Sequence, residues 1–166
     1  LVSTIKSRVA RARRRRSIPV LVDSRHDLLR YGGVTACTPN ESEVEQMLGI
    51  TIGDNQRTLE RAGRILLKRT RSKGVVLTRG GRGMAVFVPG QRTAHIPIYG
   101  SDEVADVTGA GDTVIASITL ALAGGASLHE AARIANYAGG LVVMKRGTAT
   151  VSSDELTHAI RADLSG

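Results

Sequence analysis

The chain has 166 residues, 42% of them hydrophobic, which suits one domain with a sizeable core and argues against a disordered segment. It holds no Trp, one Phe and three Tyr, so its core is aliphatic and an aromatic platform for stacking nucleic acid is disfavoured. The formal charge of +8 is local: residues 1–30 carry nine Lys or Arg against two Asp, and the rest of the chain is nearly neutral.

Leu1, Val2, Ile5, Val9 and Ala12 recur at helical spacing, which predicts an amphipathic helix over residues 2–16. Five arginines, Arg11 and Arg13 to Arg16, gather at its end, where cations complement the helix dipole. Such a run could contact nucleic-acid phosphates. Without interleaved aromatics it reads better as a solvated helix end. Opening at Leu1 in a helical pattern also leads us to expect a piece of a longer protein.

Ile18 to Val22 reads as a buried parallel strand, with Asp23-Ser24 at its C-terminal edge. Val34 to Thr38 reads as a second strand ended by Pro39-Asn40. Glu41 to Leu48 is a helix stopped by Gly49, and residues 54–70 form another, with Leu59, Ala62, Ile65 and Leu66 on one stripe. Val75 to Thr78 is a strand, Gly80, Gly81 and Gly83 make a turn, and Met84 to Val88 is the hairpin partner. Thr93 to Ile98 is a further strand candidate. A helix runs from Gly109 to about Ala123 and is broken by Gly124-Gly125. Ser127 and Glu130 form a capping box for a helix reaching about Met144. Gly147 to Thr150 is a loop, and Ser152 or Ser153 caps a last helix to Ala162. Alternating strands and helices predict an α/β fold with a mainly parallel sheet and no second domain. The single Cys37 excludes an internal disulfide and a multi-cysteine zinc site, and reads as a small buried hydrophobe. No secretion signal is visible, and the longest apolar run, Val114 to Ala123, is too short to cross a membrane. The expected location is therefore the cytoplasm.

Four segments carry candidate chemistry. In Asp106 to Asp112, the small residues Gly109, Ala110 and Gly111 open a helix, where free N–H groups and the dipole favour an anion. Asp112 sits just inside that helix, placed to take a proton from a hydroxyl that attacks a phosphate held there. A loop residue at Asp106 and a dipole-complementing Asp112 would be the structural alternative. In Thr38 to Glu43, Asn40 and Glu43 could share a magnesium ion or its water shell, or form a capping box, or both. In Thr78 to Gly83, the glycine turn could expose N–H groups to phosphate oxygens, or serve as an ordinary hairpin turn. The small residues from Asn136 to Gly140, with Gly147-Thr148, could admit a flat ligand or a neighbouring helix.

In this order the motifs resemble the ribokinase-like, or PfkB, family of carbohydrate kinases, from about Pro19 to Leu156. Val104 to Ile115, Ala135-Asn136 and Gly147 to Ser152 are further similar to the heptose 7-phosphate kinase domains of bifunctional ADP-heptose synthases. The resemblance implies a ribokinase-like three-layer α/β fold. Residues 1–166 would be the C-terminal, nucleotide-binding part of the kinase domain, with the N-terminal half and the lid missing. It implies ATP-dependent phosphorylation of a sugar or sugar phosphate, foremost D-glycero-β-D-manno-heptose 7-phosphate at C1. Another sugar of the family, or an inactive nucleotide-binding fragment, are the alternatives. Asp112 would be the base, and the N–H groups of Gly109, Ala110 and Gly111 the anion hole. Thr78, Gly80, Gly83, Asn136 and Gly139 would contact ATP. Asn40 and Glu43 would organise magnesium, and Asp106 and Thr108 a monovalent cation such as potassium. The implied partner is a small sugar phosphate, with room for a homodimer and none for a membrane.

Overall fold

A computed structural model describes residues 18–25, 27–100, 108–145, 147 and 149–165. The helix expected over residues 2–16, the Arg11–Arg16 run, Asp106 and Thr148 lie outside them.

Five strands form one sheet in the order β1 (Leu21–Val22), β2 (Ala36–Cys37), β3 (Val75–Thr78), β4 (Met84–Phe87) and β5 (Ala94–Ile96). β1, β2 and β3 run parallel, as the buried apolar runs imply. β4 turns back antiparallel on β3 in the expected hairpin, and β5 follows antiparallel on β4. The first two strands are shorter than the sequence suggests. Their pairing is extended at the entry by Thr35 N–H to the Val20 carbonyl (2.8 Å) and Val20 N–H to Thr35 Oγ1 (2.9 Å).

Side chains alternate across β3 and β4 and so supply two cores. Val75, Leu77, Ala85 and Phe87 face one layer, where they meet Val44 of α1 (Glu41–Leu48) and Leu59, Ala62 and Leu66 of α2 (Gln56–Thr70). Val76, Met84 and Val86 face the other, against Val114 and Ile118 of α3 (Ala110–Ala123) and the alanines of α4 (Leu128–Val143). The result is three layers, helix on sheet on helix. Burying one Leu or Phe in such a core contributes about 1.5–3 kcal/mol. Phe87 fits only because α2 offers Gly63 opposite it: a Cβ there would stand 2.3 Å from the ring.

Helix ends follow their predicted caps. Asn40 caps α1 and accepts from Glu43 N–H, Glu43 accepts from Asn40 N–H in return, and Gly49 ends the helix at φ 64°. Ser127 and Glu130 form the same reciprocal box on α4. At α5 (Ser153–Ser165) it is Ser152 that caps, accepting from Glu155 N–H at 3.2 Å. Two short 3-10 turns complete the fold: Gly80–Arg82 is the expected glycine turn, and Leu28–Arg30 has no counterpart in the sequence reading. Among the described residues no helix is long and apolar enough to cross a membrane.

Candidate active site

Parallel strands deliver their C-terminal ends to one edge of the sheet, where open α/β folds bind ligands. Here β1 delivers Asp23, β2 delivers Thr38 and Asn40, and β3 delivers Thr78. Pairing continues past the strands, with Thr78 N–H donating to the Pro39 carbonyl at 3.0 Å. The start of α3 stands in front of these ends. Together they enclose a cavity of about 610 Å³ that Asp23, Thr38, Asn40, Glu43, Thr78, Thr108, Gly109, Gly111 and Asp112 line.

Gly109 caps α3 in the left-handed region, at φ 79° and ψ 0°, with no side-chain cap. Glycine adopts this angle freely. The helical ladder starts with Thr113 N–H on the Gly109 carbonyl at 3.0 Å. The N–H groups of Ala110, Gly111 and Asp112 precede that bond and lie outside the ladder. A Cβ added at Gly111 would meet nothing within 4 Å. Packing therefore does not demand this glycine, and its missing side chain keeps the cavity open. Asp112 is exposed beside it.

A second cavity, of about 340 Å³, shares Asn40, Thr78, Gly111 and Val114 with the first and continues along the glycine turn. Gly80, Gly81, Gly83, Asn136 and Gly139 line it, with apolar walls from Met84, Ile98 and Val143. Two of these glycines also have packing roles. A Cβ at Gly83, where φ is 73°, would lie 2.0 Å from the Ile96 carbonyl oxygen, and one at Gly139 would lie 3.1 Å from Val114. A Cβ at Gly80 or Gly81 meets no neighbour within 4 Å. Asn136 is buried and donates its amide to the Pro97 carbonyl at 2.8 Å, so it braces the wall beyond β5.

The structure thus gathers Asp112, Gly109, Ala110, Gly111, Asn40, Glu43, Thr78, Gly80, Gly83, Asn136, Gly139 and Thr108 around two adjoining cavities. It also adds residues to which the motifs assigned no role. The Asp23 carboxyl is pushed above its usual range by partial desolvation, then by the carboxylates of Glu43 and Asp112, with Arg25 opposing them. Thr38 is buried, and its hydroxyl has no hydrogen-bond partner among the described residues. The available sequence signal was positional: both end strands that the fold lays side by side.

An excess of negative potential beside an unpartnered hydroxyl fits a hydrated cation. Among the described residues no three His, Cys, Asp or Glu side chains converge into a direct cage. Magnesium keeps several waters and takes one or two carboxylates, a demand that Asp23 and Glu43 in the cavity lining can meet. Burial pushes the Cys37 thiol up to about 12, so it is an inert core residue.

Residues 5–155 match the family described as "pfkB family carbohydrate kinase". The chain is 44% identical over 161 residues to "Bifunctional protein HldE" of Geobacter sulfurreducens, covering 96% of this chain and 32% of that protein. It therefore spans about a third of the length of such relatives. Among solved structures, Arabidopsis thaliana ribokinase complexed with ribose and ATP aligns with a TM-score of 0.70 at 26% identity, over 77% of this chain and 41% of that one. Ribokinase from Giardia lamblia has the same fold, with a TM-score of 0.80 over 98% of this chain and 55% of that one, at 22% identity.

Proposed function

The chain belongs to the PfkB family of carbohydrate kinases, and on that premise we propose that it forms the nucleotide-binding and phosphoryl-transfer part of an ATP-dependent sugar-phosphate kinase. The observation that carries this reading is the start of α3, which has no side-chain cap, with Asp112 beside it, facing the strand ends across one cavity. ATP would lie along the second cavity, its phosphates passing Thr78, Gly80 and Gly83 and its base towards Asn136 and Gly139. The transferring phosphoryl group would meet the N–H groups of Gly109, Ala110 and Gly111, which stabilise charge without reorganising. Asp112 would accept the proton of the attacking sugar hydroxyl.

Asn40, Glu43 and Asp23 would hold magnesium through its water shell. When bound, the ion neutralises phosphate charge. Asp106 and Thr108 would take a monovalent cation, with potassium the candidate. The resemblance to heptose 7-phosphate kinase domains makes that sugar phosphate the acceptor of choice, phosphorylated at C1. The reaction would take place in the cytoplasm, where ATP is supplied, with a homodimer as the candidate assembly.

Two variants test it. Asp112→Asn in the full-length protein should lower phosphoryl transfer by roughly 10²–10⁴-fold while MgATP still binds by calorimetry. Gly111→Val, whose Cβ meets no neighbour within 4 Å, should fold normally and lose MgATP binding. Retained turnover in the first variant removes the base assignment, and unchanged affinity in the second removes the nucleotide site.

A further inference from the structure

Glu41 is the first residue of α1, between the two members of the Asn40–Glu43 pair, yet it is only 8% exposed. A buried carboxylate is costly unless it is paired. Glu41 is paired twice, by both flanks of the same glycine turn. Arg79 donates its Nε to Glu41 Oε2 at 2.6 Å, and Arg82 donates to the other carboxylate oxygen. Arg79 also donates to the Gly53 carbonyl at 2.7 Å, and its side chain is only 11% exposed. Arg82 reaches Asp54 at 3.2 Å.

The turn between these arginines closes the β3–β4 hairpin, and no side chain of its own packs its tip. Its internal bonds are Arg79 N–H to the Gly83 carbonyl (2.8 Å), Arg82 N–H to the Arg79 carbonyl (3.1 Å) and Gly83 N–H to the Gly80 carbonyl (2.9 Å). Gly80 and Gly81 have no side chains, and the space where these would stand is empty. The hairpin fixes the ends of the turn, and a carboxylate gripping both of its flanks holds it from outside as well.

We propose that Glu41 is a positioning residue: through Arg79 and Arg82 it aims the Gly80–Arg82 turn at the nucleotide's phosphates and ties that turn to the helix start bearing Asn40 and Glu43. The proposal rests on the nucleotide reading above and adds to it a residue that touches no substrate. Its consequence is selective. Loosening the grip costs phosphate recognition and leaves the apolar walls of the second cavity as they are.

The test compares MgATP and MgADP, which carry phosphates, with adenosine, which does not. Affinities are measured for the wild type, Glu41→Gln, Arg82→Gln and the double variant, with thermal unfolding alongside. Glu41→Gln should weaken both nucleotides on the order of tenfold, as expected when one partner of a buried charged pair is lost, and shift adenosine affinity less than twofold. Arg82→Gln, at a half-exposed site, keeps the test alive if Glu41→Gln does not fold, and should weaken nucleotides alone. The double variant should lose no more than the worse single, since the residues act as one unit. Parallel losses for adenosine and nucleotides, additive losses, or none, would overturn the proposal. A wild type that ignores MgATP fails at the earlier step and overturns the nucleotide reading itself.

Discussion

Asp112 and Asp23 face the same cavity, one from a helix start and one from a strand end, and only the first announces itself in the sequence. Gly109, Ala110 and Gly111 mark Asp112 because three small residues opening a helix need a reason, and close approach of an anion is one. Asp23 follows an ordinary apolar strand; what singles it out is proximity to Glu43 and Asp112, 20 and 89 positions later in the chain. That proximity makes a pH prediction. The native Asp23 carboxyl holds its proton more tightly than the unfolded chain's does. Ionised Asp23 therefore costs stability at neutral pH, and the cost fades as pH falls through its raised value. Asp23→Asn should raise the unfolding temperature at pH 7 in magnesium-free buffer, with the difference from wild type vanishing by about pH 4. Added magnesium should stabilise the wild type more than the variant. An equal gap at both pH values in thermal unfolding would refute the origin assigned to the shift.

At the scale of elements, the helix starts were the most legible feature. Asn40 with Glu43, Ser127 with Glu130, and Ser152 with Glu155 each satisfy orphan N–H groups with side chains at fixed local spacing, so no long-range contact is needed to form them. The same pair Asn40 and Glu43 was also read as a magnesium site, and the cap and the ion make separable demands. Asn40→Asp keeps an oxygen for Glu43 N–H and should leave stability near the wild type. Asn40→Ala should cost about 1 kcal/mol and lower the melting temperature by roughly 2–4 °C. A variant with Ala that melts at the wild-type temperature would show that the box contributes nothing. Strand lengths were less legible. Ile18 to Val22 and Val34 to Thr38 look alike in sequence, and the extent of their pairing depends on Thr35 and Val20 meeting across the chain. The turn at Gly80–Arg82 is legible from its glycines, but its tie to Glu41 is not, since Arg79 and Arg82 lie 38 and 41 residues further along the chain.

For the molecule as a whole, α5 is the last element in the chain, and it buries Ala159 and adds polar contacts. Tyr137 donates to Asp163 at 2.5 Å, and Lys145 bridges the Thr150 carbonyl (2.8 Å) and Glu155 (2.6 Å). The Lys145 contact, with help from Ser152, holds the Glu155 carboxyl down to about 2, below its usual 4.5. A depressed carboxyl stabilises the fold above its ordinary value, and that contribution is lost as pH falls from 4.5 towards 2. Lys145→Met should therefore lower the unfolding temperature at pH 7, and the gap to wild type should close over that acidic window. A gap constant with pH would assign the loss to packing of the lysine stem instead. By itself the sequence determined the α/β class, the hairpin, the helix caps and the anion-suited helix start at Gly109 to Asp112. All are set by residues within a few positions of one another, through period, capping and glycine conformation. Only the tertiary structure decided that Asp23 and Thr38 join Asp112 in one cavity, and that Glu41 grips the turn of Arg79 and Arg82. These depend on which strand lies beside which, and burial and charge pairing act on neighbours in space that local sequence does not encode.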